Sequence, residues 1–291
     1  MRFGFVGSFG SPQQMVTLAR ECEEHGWDGF FSWDGLSMAD WGGESLTAWD
    51  PFAILAGAAA VTERISLGAM VFAVPRHRAW ELAQRALTVD HLSGGRLVLP
   101  AGVGVLDDRG FTSVPGQVTD LRERAAKLDE TLEFLRRSWS GEQLEADGEH
   151  VRTGPFRFAA PPVHGHIPVW PVGVWDAQRP PLRNLRRTLR WDGIVAQVRG
   201  ATPEEAEAGP DAVRELAAWI AEQRATDGDQ GAGTFDIVAS GLLPDDRGAA
   251  REQARAMADA GATWFIDSWW DPAAATPEGL LDRARQGPPQ L

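Results

Sequence analysis

The chain has 291 residues, 43% of them hydrophobic, which is enough to bury a sizeable core. Its 28 basic and 41 acidic residues give a formal charge of −13, which disfavours nucleic acids and anionic membrane surfaces as partners, since both are polyanions. The single cysteine, Cys22, excludes an intrachain disulfide framework and a cysteine-cluster metal site.

The first residues, MRFGFVGSFGSPQQ, show no signal-peptide pattern, and the longest strongly apolar run, residues 54–61, is too short to span a bilayer. A cytoplasmic location is expected. In chain order, Arg2 to Gly7 reads as a strand. Pro12 to His25 reads as a helix with Met15, Leu18, Ala19 and Cys22 on one stripe, so Cys22 is assigned to the core. Trp27 to Trp33 is a second strand. Pro51 to Thr62 is a helix of small residues capped by Asp50. Ile65 to Val74 is a nearly all-apolar strand, Trp80 to Leu92 a helix stopped by Gly94 and Gly95, and Arg96 to Val103 a fourth strand. A Gly- and Asp-containing loop covers residues 105–120, and Leu121 to Trp139 is a long amphipathic helix. Residues 141–166 hold short β-like or irregular pieces with several Pro and Gly. The alternation then resumes: strand Ile167 to Val172, helix Pro181 to Leu189, strand Gly193 to Val198, helix Asp211 to Arg224, strand Phe235 to Gly241, helix Ala249 to Ala260 and strand Thr263 to Asp267. From about Asp271 the chain is rich in Pro, Ala and Gly, with at most one short helix.

Eight strands, most followed by a helix, predict a parallel sheet with crossover helices. At this length the expected fold class is α/β, a (β/α)8 TIM barrel with an irregular insertion after the fourth strand. It would be one domain over residues 1–270 with a tail over 271–291. An open doubly wound sheet is the rival architecture.

In such a barrel, chemistry gathers at the C-terminal ends of the strands. The predicted ends are aromatic and Gly-rich: Trp33 and Asp34, Arg76 and His77, Gly104 and Asp107, Gly173 to Trp175, and Trp269 with Trp270. With 13 Trp and no Tyr in the chain, these ends suit either a planar heteroaromatic ligand or plain core packing. Asp34, His77 and Asp107 are the candidate proton carriers; a solvated loop residue or a helix cap is the plainer reading of each alone. Arg76, Arg78, Arg183, Arg186, Arg187 and Arg199 are candidates for meeting an anion, and Gly173–Val174–Trp175 could present a phosphate to the following helix. Gly4, Gly7 and Gly10 lack the dinucleotide spacing. His150, His164 and His166 lack carboxylates at ligand spacing, so no metal is expected.

The segments GWDGFFSWDG (26–35), DPFAILAGAAAVTERISLGAMV (50–71), LAQRALTVDHLSGGRLVLPAGVG (82–104), ERAAKLDETLEFLRRSWSGE (123–142), IPVWPVG (167–173) and WDG (191–193) resemble the luciferase-like superfamily of flavin- and deazaflavin-dependent oxidoreductases. The resemblance spans about residues 1–195 and is most specific from Asp50 to Gly104. It implies a (β/α)8 barrel that uses reduced FMN for oxygen insertion or coenzyme F420 for hydride transfer. It also implies a backbone bulge, often with a cis bond, near Ala69, Met70 and Val71 behind the ring, with Trp33, Gly104, Gly173 and Val174 as further cofactor contacts. By the same resemblance, Asp34 matches an acidic strand-two position, Asp107 falls where deazaflavin reductases place an acid, and His77 follows a proline-containing turn. This chain departs from the family pattern at Gly35, where many members have His, at Pro100 in place of a Gly, and at Val172 in place of a phosphate-loop Gly.

The expectation is a luciferase-like oxidoreductase acting on a small organic substrate, with Asp34, His77 and Asp107 handling protons, and a possible homodimer. A non-catalytic flavin-binding member and an NAD(P)-dependent dehydrogenase on an open sheet stay open as alternatives.

Overall fold

The computed structural model describes residues 1–41, 44–178, 180, 182–200, 205–226 and 234–291; of residues 39–41, 44–45 and 182 only the backbone is described. Strands and helices alternate along it: β1 (Arg2–Val6), α1 (Pro12–Glu24), β2 (Gly29–Ser32), α2 (Pro51–Ala59), β3 in two pieces (Ser66–Ala69 and Phe72–Ala73), α3 (Ala79–Ser93), β4 (Leu99–Gly102) and α4 (Leu121–Ser138). The second half runs β5 (Val169–Trp175), α5 (Leu182–Thr188), β6 (Gly193–Val198), α6 (Pro210–Thr226), β7 (Asp236–Gly241), α7 (Arg247–Asp259), β8 (Trp264–Asp267) and α8 (Pro277–Gln286). Pro181, the expected first residue of α5, lies outside the described residues.

The helices start where the sequence signals them. Ser11 caps α1 in a reciprocal box with Gln14, and Asp50 Oδ1 accepts the Ala53 N–H at 2.9 Å ahead of Pro51. Gly94, at φ +67°, ends α3 in the left-handed conformation that a side chain would oppose.

The strand order is β3–β2–β1–β8–β7–β6–β5–β4, with every neighbouring pair parallel. The ring closes between its two ends. Leu67 N–H donates to the Arg96 carbonyl at 3.0 Å, and Val98 N–H donates to the Leu67 carbonyl at 2.9 Å. The (β/α)8 barrel therefore forms and the open sheet does not. β3 changes partner midway: Ser66–Ala69 pairs with β2, whereas Phe72–Ala73 pairs with β4. Between the two pieces the Met70–Val71 peptide bond is cis, so the interruption expected near Ala69, Met70 and Val71 is present.

Phe31, Trp170 and Trp264 point into the barrel and pack together, with ring centroids 5.5–6.3 Å apart, and all three are buried. They make the barrel a filled core rather than a pore. Alternate strand residues such as Phe5, Phe30 and Leu67 face the helix layer, where Cys22 is also fully buried. Each such side chain contributes about 1.5–3 kcal/mol by leaving water.

Two antiparallel hairpins decorate the barrel. One, Ser37–Trp41 with Glu44–Thr47, lies in the connection from β2 to α2. The other, Leu144–Asp147 with Arg152–Phe156, lies within the insertion, where short β-like or irregular pieces were expected. The segment after 271 is more than a tail. Trp27 Nε1 donates to the Ala284 carbonyl of α8 at 2.8 Å, and Arg283 of α8 reaches Asp267 of β8 at 2.7 Å. No described helix is long and apolar enough to cross a membrane.

Candidate active site

The ends of β2, β3 and β4 build a buried charged network at the C-terminal mouth of the barrel. Asp34, two residues past β2, has a fully buried side chain. Its Oδ2 accepts the Ala73 N–H at 2.8 Å and contacts His77 Nε2 at 2.7 Å, while its Oδ1 accepts from Arg76. Burial pushes the Asp34 carboxyl up, but His77, Arg76 and the Ala73 N–H together outweigh that and hold it below the usual carboxylate range. Arg76 also faces Asp108, with Nε 3.4 Å from Oδ2. Asp108 Oδ1 in turn accepts the N–H groups of Leu36, Ser37 and Gly110 at 2.8–3.1 Å. Gln117 Nε2 donates to the Arg76 carbonyl at 3.1 Å. Two acids thus hold one guanidinium, and the network ties the first hairpin to the turn after β3.

Beside this network the mouth is apolar. Met70, Val71, Val172 and Trp270 are partly buried over the aromatic floor of the barrel. Trp33 meets Trp270 edge to face at 6.1 Å, and its indole N–H is fixed on the Ser8 carbonyl at 2.6 Å. Val71 and Val172 converge on Gly102, where an added Cβ would lie 2.9 and 3.4 Å from their methyl carbons. Gly104 sits at φ +72°, and a Cβ there would lie 2.4 Å from Phe111. Arg124 fixes this bend by donating to the Val103 and Gly104 carbonyls at 3.1 and 2.7 Å.

The structure brings together Trp33, Asp34, Met70, Val71 and His77, with Gly104 at the edge of the same mouth. It separates others. Asp107 is exposed at the tip of its loop; the acid that this loop buries is Asp108, 2% exposed, which caps the single helical turn Arg109–Thr112. Gly173 turns its Cα toward Ile194 and Thr188, on the helix side of β5, rather than into the mouth. The Val174 N–H, expected to be open to a phosphate, is bonded to Asn184 Oδ1 at 2.7 Å, and Asn184 Nδ2 donates to the Val172 carbonyl at 3.0 Å. Among the candidate anion-binding arginines, Arg76, Arg78, Arg187 and Arg199 are each paired with an acid. Among the described residues, His150, His164 and His166 do not converge as a ligand set; His166 contacts Asp192 at 2.7 Å.

Sequence reading did not single out Asp108, Gln117 or Asn184. Asp108 had one usable signal: an acid just before a short Gly-containing turn is a cap. For Asn184 there was none, because its partners are the backbone of another strand.

The mouth carries the kind of side chains that seat a planar cofactor ring. The half-buried Met70, Val71, Val172 and Trp270 are apolar and lie over the packed Trp170 and Trp264. On β5 the Val174 N–H and the Val172 carbonyl are committed to Asn184 and are not free for a cofactor phosphate.

A model of the luciferase-like monooxygenase family matches residues 2–287, so the chain belongs to that family. It is 31% identical to an F420-dependent glucose-6-phosphate dehydrogenase of Nocardia farcinica over 58% of this chain and 51% of that protein; the chain thus spans about half the length of this curated relative. Its fold is similar to that of the coenzyme F420-dependent tetrahydromethanopterin reductase of Methanopyrus kandleri, with a TM-score of 0.73 at 16% identity, covering 99% and 98% of the two chains. It is also similar to the FMN-bound oxygenating constituent of 3,6-diketocamphane monooxygenase of Pseudomonas putida, with a TM-score of 0.69 at 13% identity, covering 100% and 98%.

Proposed function

We propose that the protein is an oxidoreductase that uses the deazaflavin coenzyme F420 to move a hydride to or from a small organic substrate. The observation that carries this reading is the buried Asp34–His77 pair at the barrel mouth, which joins the end of β2 to the turn that follows the cis Met70–Val71 bond. The identity to an F420-dependent dehydrogenase supports the choice of cofactor. When bound, the coenzyme supplies the hydride; the protein supplies binding, orientation and a proton. Met70, Val71 and Val172 would seat the ring, while Trp33 and Trp270 would keep water from the reacting face.

His77 is the proton carrier in this reading. Asp34 holds its Nε2, so Nδ1 is the ring nitrogen left for exchange with substrate. The ionised Asp34 fixes the tautomer and stabilises the imidazolium once His77 has taken a proton. Asp34 is therefore a positioning residue, and His77 fills the role that Gly35 cannot.

Anaerobic titration with F420 and with FMN, each in both redox states, tests the reading. Tighter binding of the deazaflavin by about tenfold or more is expected, which is about 1.4 kcal/mol. Preference for reduced FMN in that titration, with oxygen consumed once air is admitted, overturns it in favour of a monooxygenase.

A homodimer and a cytoplasmic location belong to the same proposal. The outer face of α2 and α3 supports self-association. α2 contains no charged residue, and Trp80, Gln84, Thr88 and Leu92 are exposed and uncharged on α3, beside exposed Arg85. Next to them runs an 840 Å³ groove lined by Phe156 and Phe158 of the insertion together with Arg152 and Arg157. A second copy seated here would cover the apolar part of this surface.

A further inference from the structure

A separate cavity of 140 Å³ lies beside the barrel mouth, between the β1 and β2 ends and the strand of the first hairpin that leads into α2. Phe9, Met15, Trp33, Leu46 and Trp49 supply its apolar walls, and none of its lining residues is charged. That is notable on a chain in which 24% of residues are charged.

The polar groups around it are accounted for with one exception. Trp33 Nε1 donates to the Ser8 carbonyl at 2.6 Å and Trp49 Nε1 to the Gly10 carbonyl at 2.8 Å. The Ser8 hydroxyl donates to the Trp269 carbonyl at 2.5 Å. Thr47 is exposed to solvent. Ser32 is different. It is 2% exposed as a residue, it lines the cavity, and its hydroxyl has no hydrogen-bond partner among the described residues, yet it is not sealed off in the protein. A hydroxyl that opens into a cavity and is committed to no protein group is free to hydrogen-bond an occupant. The site is also connected to the proposed chemistry, because the Ser32 carbonyl accepts the Met70 N–H at 2.8 Å.

Volume sets the size of the occupant. An apolar protein cavity of about 150 Å³ takes up benzene, a molecule of about six heavy atoms. The uncharged walls exclude an ion, since a buried charge needs a partner. We infer that this cavity is a binding site for a small neutral molecule of about six heavy atoms with one hydrogen-bonding oxygen, a ketone or an alcohol, held by the Ser32 hydroxyl. That this molecule is the substrate rests on the redox reading above; that it binds does not.

The test uses the full chain without cofactor and cyclopentanone as the probe, titrated by saturation-transfer NMR. A failed cofactor titration therefore leaves its outcome unaffected. Saturable binding of cyclopentanone is expected, with no saturable binding of cyclopentylammonium, its charged counterpart in size. Ser32→Ala is expected to weaken binding about five- to tenfold, the loss of one hydrogen bond. Ala48→Phe, which fills the cavity from another wall, is expected to abolish it. Melting curves of both variants report that the protein is folded. No saturable binding to the parent protein, equal binding of the ammonium ion, or an unchanged affinity in either folded variant overturns the inference.

Discussion

Asp34 accepts one backbone and two side-chain contacts with its side chain fully buried, so its charge is both costly and well compensated. Because its folded pKa lies below the ordinary value of about 3.9, it binds its proton less tightly folded than unfolded. Its contribution to stability is therefore present above about pH 4 and lost as pH falls further through the folded value. Asp34→Asn should destabilise the protein by about 2–4 kcal/mol at neutral pH, since it leaves Arg76 and His77 short of a buried partner. Urea unfolding at pH 7 and at successively lower pH measures this, and the variant's stability should depend less on pH below about 4 than the parent's. His77→Gln probes the other half of the pair. Its amide can still donate to Asp34 but cannot carry a proton, so turnover should fall about 100-fold or more while the melting temperature moves little. Equal losses of turnover and stability would instead assign His77 a structural role.

At the scale of elements, the site depends on a strand that changes partner and a helix that locks the barrel. Splitting β3 between β2 and β4 places Met70 and Val71 in the mouth rather than in a ladder. α8 is held by Arg283, whose Nε and Nη2 reach both oxygens of Asp267 at 2.7 and 3.1 Å, whose Nη1 reaches Asp245 at 2.8 Å, and which also donates to the Leu243 carbonyl. Arg283→Met should cost about 3–5 kcal/mol, because it leaves the buried Asp267 carboxylate without its cation. Arg283→Met combined with Asp267→Asn should recover part of the loss, which thermal unfolding of the single and double variants would show. The first hairpin was not legible as a pair of strands. Its residues Ser37–Trp41 and Glu44–Thr47 carry little of the β-branched alternation that marks a strand. Its backbone is held instead by the distant Asp108, which accepts the Leu36 and Ser37 N–H groups.

For the whole molecule, the uneven distribution of charge matters more than its total. Ala53 on α2, Ala60 and Val61 just after it, and Trp80 and Leu92 on α3 are exposed and uncharged on an acidic protein. A stable dimer through that face would bury about 1,200–2,000 Å² in all. Sedimentation equilibrium should show a dimer, and Leu92→Glu should shift it to monomer by at least about tenfold in dissociation constant, because two like charges would meet in the interface. Leu92 is 58% exposed in the single chain, so the variant should melt as a folded protein. A parent protein that sediments as a monomer refutes this part of the proposal.

The order of the eight strands and helices followed from the sequence because hydrophobic period, caps and glycine stops act locally. Asp50, Gly94 and the stripe containing Cys22 stand in the structure where those signals placed them. The family resemblance located the interruption at Met70 and Val71 for the same reason: it is carried by one continuous segment. Tertiary structure decided which of two adjacent, chemically identical side chains joins the buried network, since a cap signal at Asp108 says nothing of Arg76 or the first hairpin. Asp108 and not Asp107 enters the network, and Val174 gives its N–H to Asn184 rather than to the mouth. Ser32 likewise turns its hydroxyl to a cavity only because segments far apart in the chain, residues 8–15 and 46–49, close around it. Local sequence fixes period and turn, but direction and partnership across a barrel depend on contacts between residues far apart in the chain, and no local pattern encodes those.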